Sequence, residues 1–120
     1  MKRERLMFTH MGWDELGWDP VMEGIRRKVI HGAGMTIVLV ELGPGVNAAV
    51  HTHHHEQFTH VISGSGEFNV DGKPVRVKQG DLLNFPSELP HGVVVDPVEP
   101  LVVFDIFTPQ RDEFAASTKA

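Results

Sequence analysis

The chain has 120 residues, of which 41% are hydrophobic, enough for one compact core and too few for two ordinary domains. We therefore expect a single domain over residues 1–120. The net charge is −5 and the eleven basic residues are scattered, which excludes a nucleic-acid partner. The absence of cysteine excludes a disulfide framework, a thiolate nucleophile and a sulfur-ligated metal.

Hydrophobic runs are short throughout the chain. None approaches the roughly 20 residues that span a bilayer, and the charged start lacks the apolar stretch of a secretory signal. We therefore expect a soluble cytoplasmic protein with no membrane partner.

Runs of β-branched residues, separated by glycine and proline, recur about every eight to twelve residues, which predicts an all-β chain. The predicted strands are residues 26–30, 35–42, 48–53, 58–63, 66–70, 73–77, 81–85, 92–95 and 101–107. Asp71-Gly72 fits a type I′ hairpin turn. Residues 112–116 can form one helical turn before the end of the chain. Nine short antiparallel strands favour a rolled jelly-roll barrel at about residues 24–108, because an open sheet would leave long unpaired edges.

Histidine is unusually frequent in this chain, with eight residues in total and five between His51 and His60. Side chains two apart on a strand share a face, so His51, His53 and Gln57 can converge. His91 lies at the entry to a later strand, where a turn can aim it at the same point. Imidazole nitrogens bind divalent transition metals, and the pattern admits zinc, nickel, iron, manganese or copper. An exposed, adventitious histidine patch is the alternative.

The wider spacing around these histidines is specific. Gly45, His51, His53, Gln57 and Gly64, followed by Gly80, Pro86 and His91, resemble the two motifs of the cupin family. The resemblance implies a jelly-roll fold and a metal bound by His51, His53, Gln57 and His91. The chain departs from the family pattern at three positions, since Gln57 replaces the usual glutamate, Glu88 a glycine and Val95 an asparagine. Glu56 is an alternative ligand, although strand parity turns it to the opposite face.

A narrower resemblance is carried by residues 24–30, 53–57 and 105–114, which look like the pectin-degradation cupins of the KdgF type. Those small cytoplasmic metal cupins also place a glutamine among three histidines. They convert cyclic 4,5-unsaturated monouronates, the products of pectate or alginate lyases, into linear keto acids. The resemblance therefore implies a small anionic carboxylate as substrate.

The last predicted strand contains the candidate catalytic residues. Asp105 and Phe107 share a face that can line the barrel, and Arg111 follows the strand end. We predict Asp105 as general acid/base, assisted by Arg111, with Phe107, Arg27 and Lys28 binding substrate. Asp105 can instead be a structural carboxylate paired with Arg26, Arg27 or Arg111, and Phe107 can be ordinary core.

Two other functions fit the same sequence. A three-histidine cupin site with open positions also suits a metal-dependent dioxygenase acting on a small enolizable acid, and a cupin that binds a small acid without turnover is the third hypothesis. The family resemblance implies a homodimer. His10, His31 and His60 are interpreted as ordinary surface or hydrogen-bonded histidines.

Overall fold

The computed structural model describes residues 7–120, which form ten β-strands and one 3-10 turn at Trp13–Glu15. The strands are β1 (Asp19–Met22), β2 (Ile25–His31), β3 (Thr36–Leu42), β4 (Asn47–His51), β5 (Glu56–Ser63), β6 (Ser65–Val70), β7 (Lys73–Lys78), β8 (Leu82–Phe85), β9 (His91–Val95) and β10 (Leu101–Thr108). Residues 1–6, which carry most of the charged start used to argue against an export signal, lie outside the described part. No helix within residues 7–120 has the length and apolar character needed to cross a membrane.

Two antiparallel sheets make up the fold. The six-stranded sheet has the order β1-β2-β3-β10-β5-β8, and the four-stranded sheet has the order β4-β9-β6-β7. Strands that are neighbours in one sheet are often far apart in sequence, as where β10 lies between β3 and β5. This is the jelly-roll architecture, so the predicted all-β fold is confirmed.

Apolar side chains from both sheets fill the space between them. Val61 and Leu101 are fully buried, and Phe85 is nearly so. Alternate residues of β10 are buried, as the period of a strand with one face on a core requires. Burial of this continuous core is the main driving force for closing the two sheets on each other.

The structure differs from the predicted elements in three places. β1 was not predicted; its Pro20 is tolerated because β1 lies at the edge of its sheet. β4 ends at His51, so His53 lies in the following loop and not on the strand. Where a helical turn was predicted at residues 112–116, a single turn closes from the Phe114 N–H to the Arg111 carbonyl, and no helix forms.

Two glycine-containing turns set the strand register. Asp71 and Gly72 have φ angles of 50° and 84°, as the predicted type I′ turn between β6 and β7 requires. Gly64, between β5 and β6, has a φ of 85°, and a Cβ at this position would collide with the backbone of Pro100 and Leu101. Glycine is therefore required at position 64 for two reasons: its positive φ angle and the close approach of the Pro100–Leu101 backbone.

Candidate metal centre

Three histidines converge at one end of the barrel. His51, the last residue of β4, lies opposite His91, the first residue of β9, in the register of the four-stranded sheet. His53 approaches from the loop that leads to β5. The ligand atoms of the three side chains lie within 4.8 Å of one another. His91 is only 3% exposed, so the cluster extends into the barrel and is not the exposed patch considered as the alternative.

Backbone carbonyls orient all three rings. The Nδ1 atom of His51 lies 3.1 Å from the Ala49 oxygen, that of His53 lies 2.9 Å from the His55 oxygen, and that of His91 lies 2.8 Å from the Leu89 oxygen. A carbonyl can only accept, so Nδ1 carries the proton in each ring and Nε2 presents a lone pair. This arrangement is typical of metal-binding histidines, whose second nitrogen is fixed by a hydrogen bond.

Gln57 completes the cluster from β5. Its side-chain oxygen lies 3.1 Å from the Nε2 atoms of both His53 and His91. Its Nε2 donates to Thr59 Oγ1 at 2.9 Å, which fixes the amide with the oxygen facing the imidazoles. Glu56 points away and accepts a hydrogen bond from Asn84. The orientation of these two side chains supports Gln57, and not Glu56, as the fourth ligand.

The donor set fits a divalent transition metal. With Nδ1 protonated in His53 and His91, their Nε2 lone pairs face the lone pairs of the Gln57 oxygen, and no hydrogen is available to bridge them. A cation bound among these atoms would replace this repulsion with coordination. Nitrogen ligands with one neutral oxygen suit late first-row metals, and leave their positive charge uncancelled.

Burial keeps the histidines ready to bind. Burial is the main reason that the pKa of His91 falls to about 4; the hydrogen bond to the Leu89 backbone opposes this fall, and His51, His53 and Arg111 add to it. Burial also lowers the pKa of His53. His91 also stacks on Phe85, with ring centroids 4.3 Å apart, so its ring is held by packing as well as by hydrogen bonding. At neutral pH His91 is therefore a neutral ligand.

A carboxylate is linked to the ligand cluster by two hydrogen bonds through Thr59. Thr59 and Asp105 are register partners on β5 and β10, and Thr59 Oγ1 donates to Asp105 Oδ1 at 2.6 Å. Asp105 is 8% exposed, and within residues 7–120 it forms no ion pair. Burial raises the pKa of Asp105 to about 6, against the opposing effects of hydrogen bonds from Thr59 and Gln57 and of the Arg111 charge. The alternative interpretation, a structural ion pair of Asp105 with Arg26, Arg27 or Arg111, is thus not found in the described part of the chain.

Asp105 and three members of the ligand cluster, His51, Gln57 and His91, line a cavity of about 200 Å³ between the sheets. Most of its wall is apolar. Arg27 and Arg111 also line it, and both guanidinium groups pack on the ring of Phe114 at 3.8 and 4.1 Å from its centroid. The cavity therefore combines a neutral metal-ligand cluster, one buried acid and two cations.

Phe107 takes part in both the core and the cavity. Its ring packs with Val29 and Val38 and is 4% exposed. It also meets the His53 ring edge-on at 5.6 Å and lies under the Arg111 guanidinium at 4.8 Å. Phe107 can therefore be a core residue and also contribute to substrate binding.

One predicted substrate-binding residue is not brought to the cavity. Lys28 follows Arg27 on β2, so its side chain turns to the other face of the sheet. Its Nζ donates to the Trp13 carbonyl at 2.7 Å and lies over the Trp18 ring. Strand parity separates the two cations, and the prediction for Lys28 is wrong.

Sequence reasoning missed two residues that shape the cavity, Thr59 and Phe114. Thr59 has the same parity as Gln57 on β5, so its inward direction was available from the strand prediction. Phe114 lies beyond the last strand in a turn that folds back over the cavity, and no local pattern predicts that path.

Comparison with known proteins agrees with this geometry. Residues 38–107 match the sequence pattern of Cupin_2, the cupin domain. The chain belongs to the cupin family. It is also 33% identical over 103 residues to the pectin degradation protein KdgF of Dickeya dadantii (strain 3937), covering 84% of this chain and 93% of that protein.

Solved cupin structures have the same fold. KdgF from Halomonas sp. superimposes with a TM-score of 0.84 at 29% identity, covering 89% of this chain and 98% of that one. An RmlC-like cupin from Shewanella frigidimarina gives a TM-score of 0.83 at 24% identity, covering 91% and 97% of the two chains. The second likeness bears on the fold alone.

Proposed function

We propose that this cupin opens the ring of 4,5-unsaturated monouronates, the products of pectin or alginate cleavage, and yields linear keto acids. The observation that carries the proposal is a buried carboxylate, Asp105, which has no ion-pair partner within residues 7–120 and lies in the same cavity as a candidate metal site and two arginines. The similarity to KdgF, which is named for pectin degradation, supports the substrate class.

The size of the cavity supports a small substrate. At about 200 Å³ it lies below the roughly 300–1,000 Å³ of pockets for drug-sized ligands, which suits a six-carbon acid better than a polymer chain. Arg27 and Arg111 supply positive charge for a carboxylate. The apolar wall, including Phe107, excludes water around the reacting ring and strengthens these charge interactions.

The proposed metal site comprises His51, His53, Gln57 and His91, which can hold a divalent metal that polarises substrate oxygens as a Lewis acid. Arg111, or Arg27 beside it, holds the substrate carboxylate. Both guanidinium groups pack on the ring of Phe114, so the two cations lie close together in the cavity wall. Substrate positioning of this kind is itself a large part of catalysis.

Asp105 carries the proposed proton transfer. As a base it takes the proton of the hemiacetal hydroxyl; the carbonyl of the new aldehyde forms and the bond from that carbon to the ring oxygen breaks. The released electrons form the C5 carbonyl, and C4 receives a proton that Asp105 can return. The reaction is an isomerisation, with no oxidant or reductant. A proton shuttle of this kind typically contributes about 10²–10⁴-fold.

The test is a direct assay. Metal-replete protein is added to freshly prepared 4,5-unsaturated monouronate, and loss of the conjugated double bond is followed against the spontaneous rate. We expect clear acceleration by the wild type, and none by Asp105→Asn, which keeps the size of the side chain and the metal site. Metal content, measured in both proteins, provides the control.

The outcomes separate the three functions. No acceleration by metal-replete wild type would exclude ring opening, and oxygen consumption with an enolizable acid would then test the dioxygenase. Binding of a small acid without either reaction would leave a non-enzymatic binder. Undiminished activity of Asp105→Asn would remove Asp105 from the mechanism.

We also propose that the protein acts as a cytoplasmic homodimer. The outer face of the six-stranded sheet exposes Phe58 by 52%, Ile62 by 40% and Leu82 by 72%. In register beside them lie Phe104 and Ile106, which are half-buried. A contiguous apolar face of this kind is uncommon on a monomer and can pair with its own copy.

A further inference from the structure

The turn from Arg111 to Phe114 supplies two side chains to the cavity but is held from outside it. Arg111 and Phe114 both line the cavity, whereas the residues that hold the turn, His31 and Thr36, do not. His31 is the last residue of β2 and Thr36 the first of β3, so both stand at the β2–β3 hairpin.

Two hydrogen bonds join the hairpin to the turn, and one further bond within each of them completes the set. His31 Nε2 lies 2.7 Å from the Phe114 carbonyl oxygen, and His31 Nδ1 lies 2.7 Å from Thr36 Oγ1. Thr36 Oγ1 in turn accepts the Arg111 backbone N–H at 2.8 Å. The turn itself closes from the Phe114 N–H to the Arg111 carbonyl at 3.0 Å.

The chemistry of these groups selects one tautomer of His31. The Phe114 carbonyl can only accept, so His31 Nε2 donates to it and Nδ1 carries a lone pair. Thr36 then donates its hydroxyl proton to Nδ1 and uses its oxygen for the Arg111 N–H. Every donor in this set has an acceptor, and the imidazole ties both ends of the turn to the hairpin, directly at Phe114 and through Thr36 at Arg111.

The position of the turn determines where the guanidinium groups of Arg111 and Arg27 lie in the cavity wall. The Arg111 guanidinium packs on Phe107 and Phe114, and its Nε donates to Glu113 within the same turn. Arg27 packs on the same Phe114 ring. A shift of Phe114 would therefore displace the contact surface of both arginines at once.

We propose that His31 is a positioning residue for recognition of the substrate carboxylate, acting through the Arg111–Phe114 turn; this rests on the proposed function. His31 belongs neither to the ligand cluster nor to the lining of the cavity. Its loss should therefore weaken binding of the anionic substrate and leave metal binding unchanged. Without the His31 bonds, the free protein should hold the turn in its binding position for only a fraction of the time, and we expect the affinity for the anion to fall about five- to tenfold in proportion.

The test compares two variants at this position. His31→Leu has a similar volume but removes both hydrogen bonds, whereas His31→Gln keeps a donor that can reach the Phe114 carbonyl. D-galacturonate, a monouronate without the double bond, serves as the probe, and its affinity for metal-replete protein is measured by calorimetry. We expect about five- to tenfold weaker binding by His31→Leu, at least half of the affinity restored in His31→Gln, and equal metal affinity in all three proteins.

Ser117→Ala is the matched control for a general loosening of the C-terminal segment. Ser117 Oγ accepts the Val29 N–H and donates to Asp19, so it anchors the same segment outside the turn. Amide hydrogen exchange in the metal-replete proteins should show faster exchange at Arg111 and Phe114 in His31→Leu, and not in Ser117→Ala. Galacturonate affinity should remain at the wild-type value in Ser117→Ala.

Each result bears on the inference. Unchanged exchange or unchanged galacturonate affinity in His31→Leu would overturn it, as would equal weakening in Ser117→Ala or no galacturonate binding by the wild type. If galacturonate binds as expected but the unsaturated monouronate is not turned over, only the ring-opening proposal fails. Where turnover is observed, His31→Leu should raise KM about five- to tenfold and change kcat less than about twofold.

Discussion

At the scale of single residues, the site is a line of contacts from the candidate metal ligands to the candidate acid. The Gln57 amide donates to Thr59, and the Thr59 hydroxyl donates to Asp105. A hydroxyl side chain is required at position 59, because the same oxygen must accept from Gln57 and donate to Asp105. The hydroxyl therefore fixes the Gln57 amide and also stabilises the ionised form of Asp105.

Replacing Thr59 should shift the pH dependence of catalysis. As a base, Asp105 acts when ionised, and burial raises its pKa to about 6, so kcat/KM should fall as the pH drops below this value. The Thr59 hydrogen bond opposes that rise. In Thr59→Val the pKa of Asp105 should be higher still, and the acidic limb of the kcat/KM profile should move to higher pH. An unchanged limb would show that another group titrates.

Gln57 is uncharged, which leads to a second prediction about metal affinity. In Gln57→Glu an added negative charge would face the metal, so affinity for Zn²⁺ or Ni²⁺ should rise about tenfold or more. Affinity for galacturonate should fall, because the metal charge available to the anion is partly cancelled. Competition with a chromophoric chelator measures the metal affinity.

The neighbouring Glu56 provides the control for that experiment. Glu56→Gln changes the net charge by one unit on the outward face and should alter neither affinity. Equal metal binding by wild type and Gln57→Glu would show that residue 57 is not a ligand.

At the scale of strands and turns, the geometry of the site depends on register. β10 lies between β3 and β5 and places Asp105 opposite both Val38 and Thr59. β4 and β9 place His51 opposite His91. The turn at Gly64 joins the two sheets, since β5 belongs to the six-stranded sheet and β6 to the four-stranded one. Stability should therefore be sensitive to this turn.

Comparing alanine substitutions at Gly45 and Gly64 distinguishes the cost of backbone strain from the cost of a steric collision. Gly45 and Gly64 have similar φ angles of 73° and 85°, but an added Cβ meets nothing within 4 Å at Gly45 and meets backbone at Gly64. Gly45→Ala should lower the free energy of unfolding by about 1–2 kcal/mol. Gly64→Ala should cost about 1–3 kcal/mol more, because backbone must move. Urea unfolding of both variants measures the difference, and equal losses would contradict the collision.

At the scale of the whole molecule, the cavity and the apolar outer face lie on opposite faces of the same sheet. Arg27, Asp105 and Phe107 point inward from β2 and β10, and Phe58 and Leu82 point outward from β5 and β8. A second copy on the outer face would therefore leave the cavity accessible. Dimer formation and catalysis should be separable by mutation.

Leu82→Glu should disrupt the proposed dimer. A charge on the apolar face would be buried without a partner in the dimer, which strongly disfavours association. Sedimentation velocity should give a dimer for the wild type and a monomer for the variant, with ring-opening activity retained by the variant. Val98→Glu is the control, since Val98 is 87% exposed in the loop between β9 and β10. A monomeric wild type would exclude the dimer.

The sequence by itself determined the strand pattern, the glycine turns and the inward set of His51, Gln57 and Asp105. These follow from local rules, since alternation on a strand fixes which side chains share a face. The motif spacing extended this to the fold, because residues 45–95 resemble the two cupin motifs despite the departures at Gln57, Glu88 and Val95. The prediction for Lys28 failed because the same alternation, applied to β2, allows only one of two adjacent cations to face the cavity.

Only the tertiary structure decided which groups meet across the chain. The contact between Thr59 and Asp105 spans 46 residues and depends on the register of β5 with β10. The path of Phe114 back over the cavity depends on the hairpin that carries His31 and Thr36. Such contacts are set by packing between distant segments, and no local preference of the residues involved encodes them.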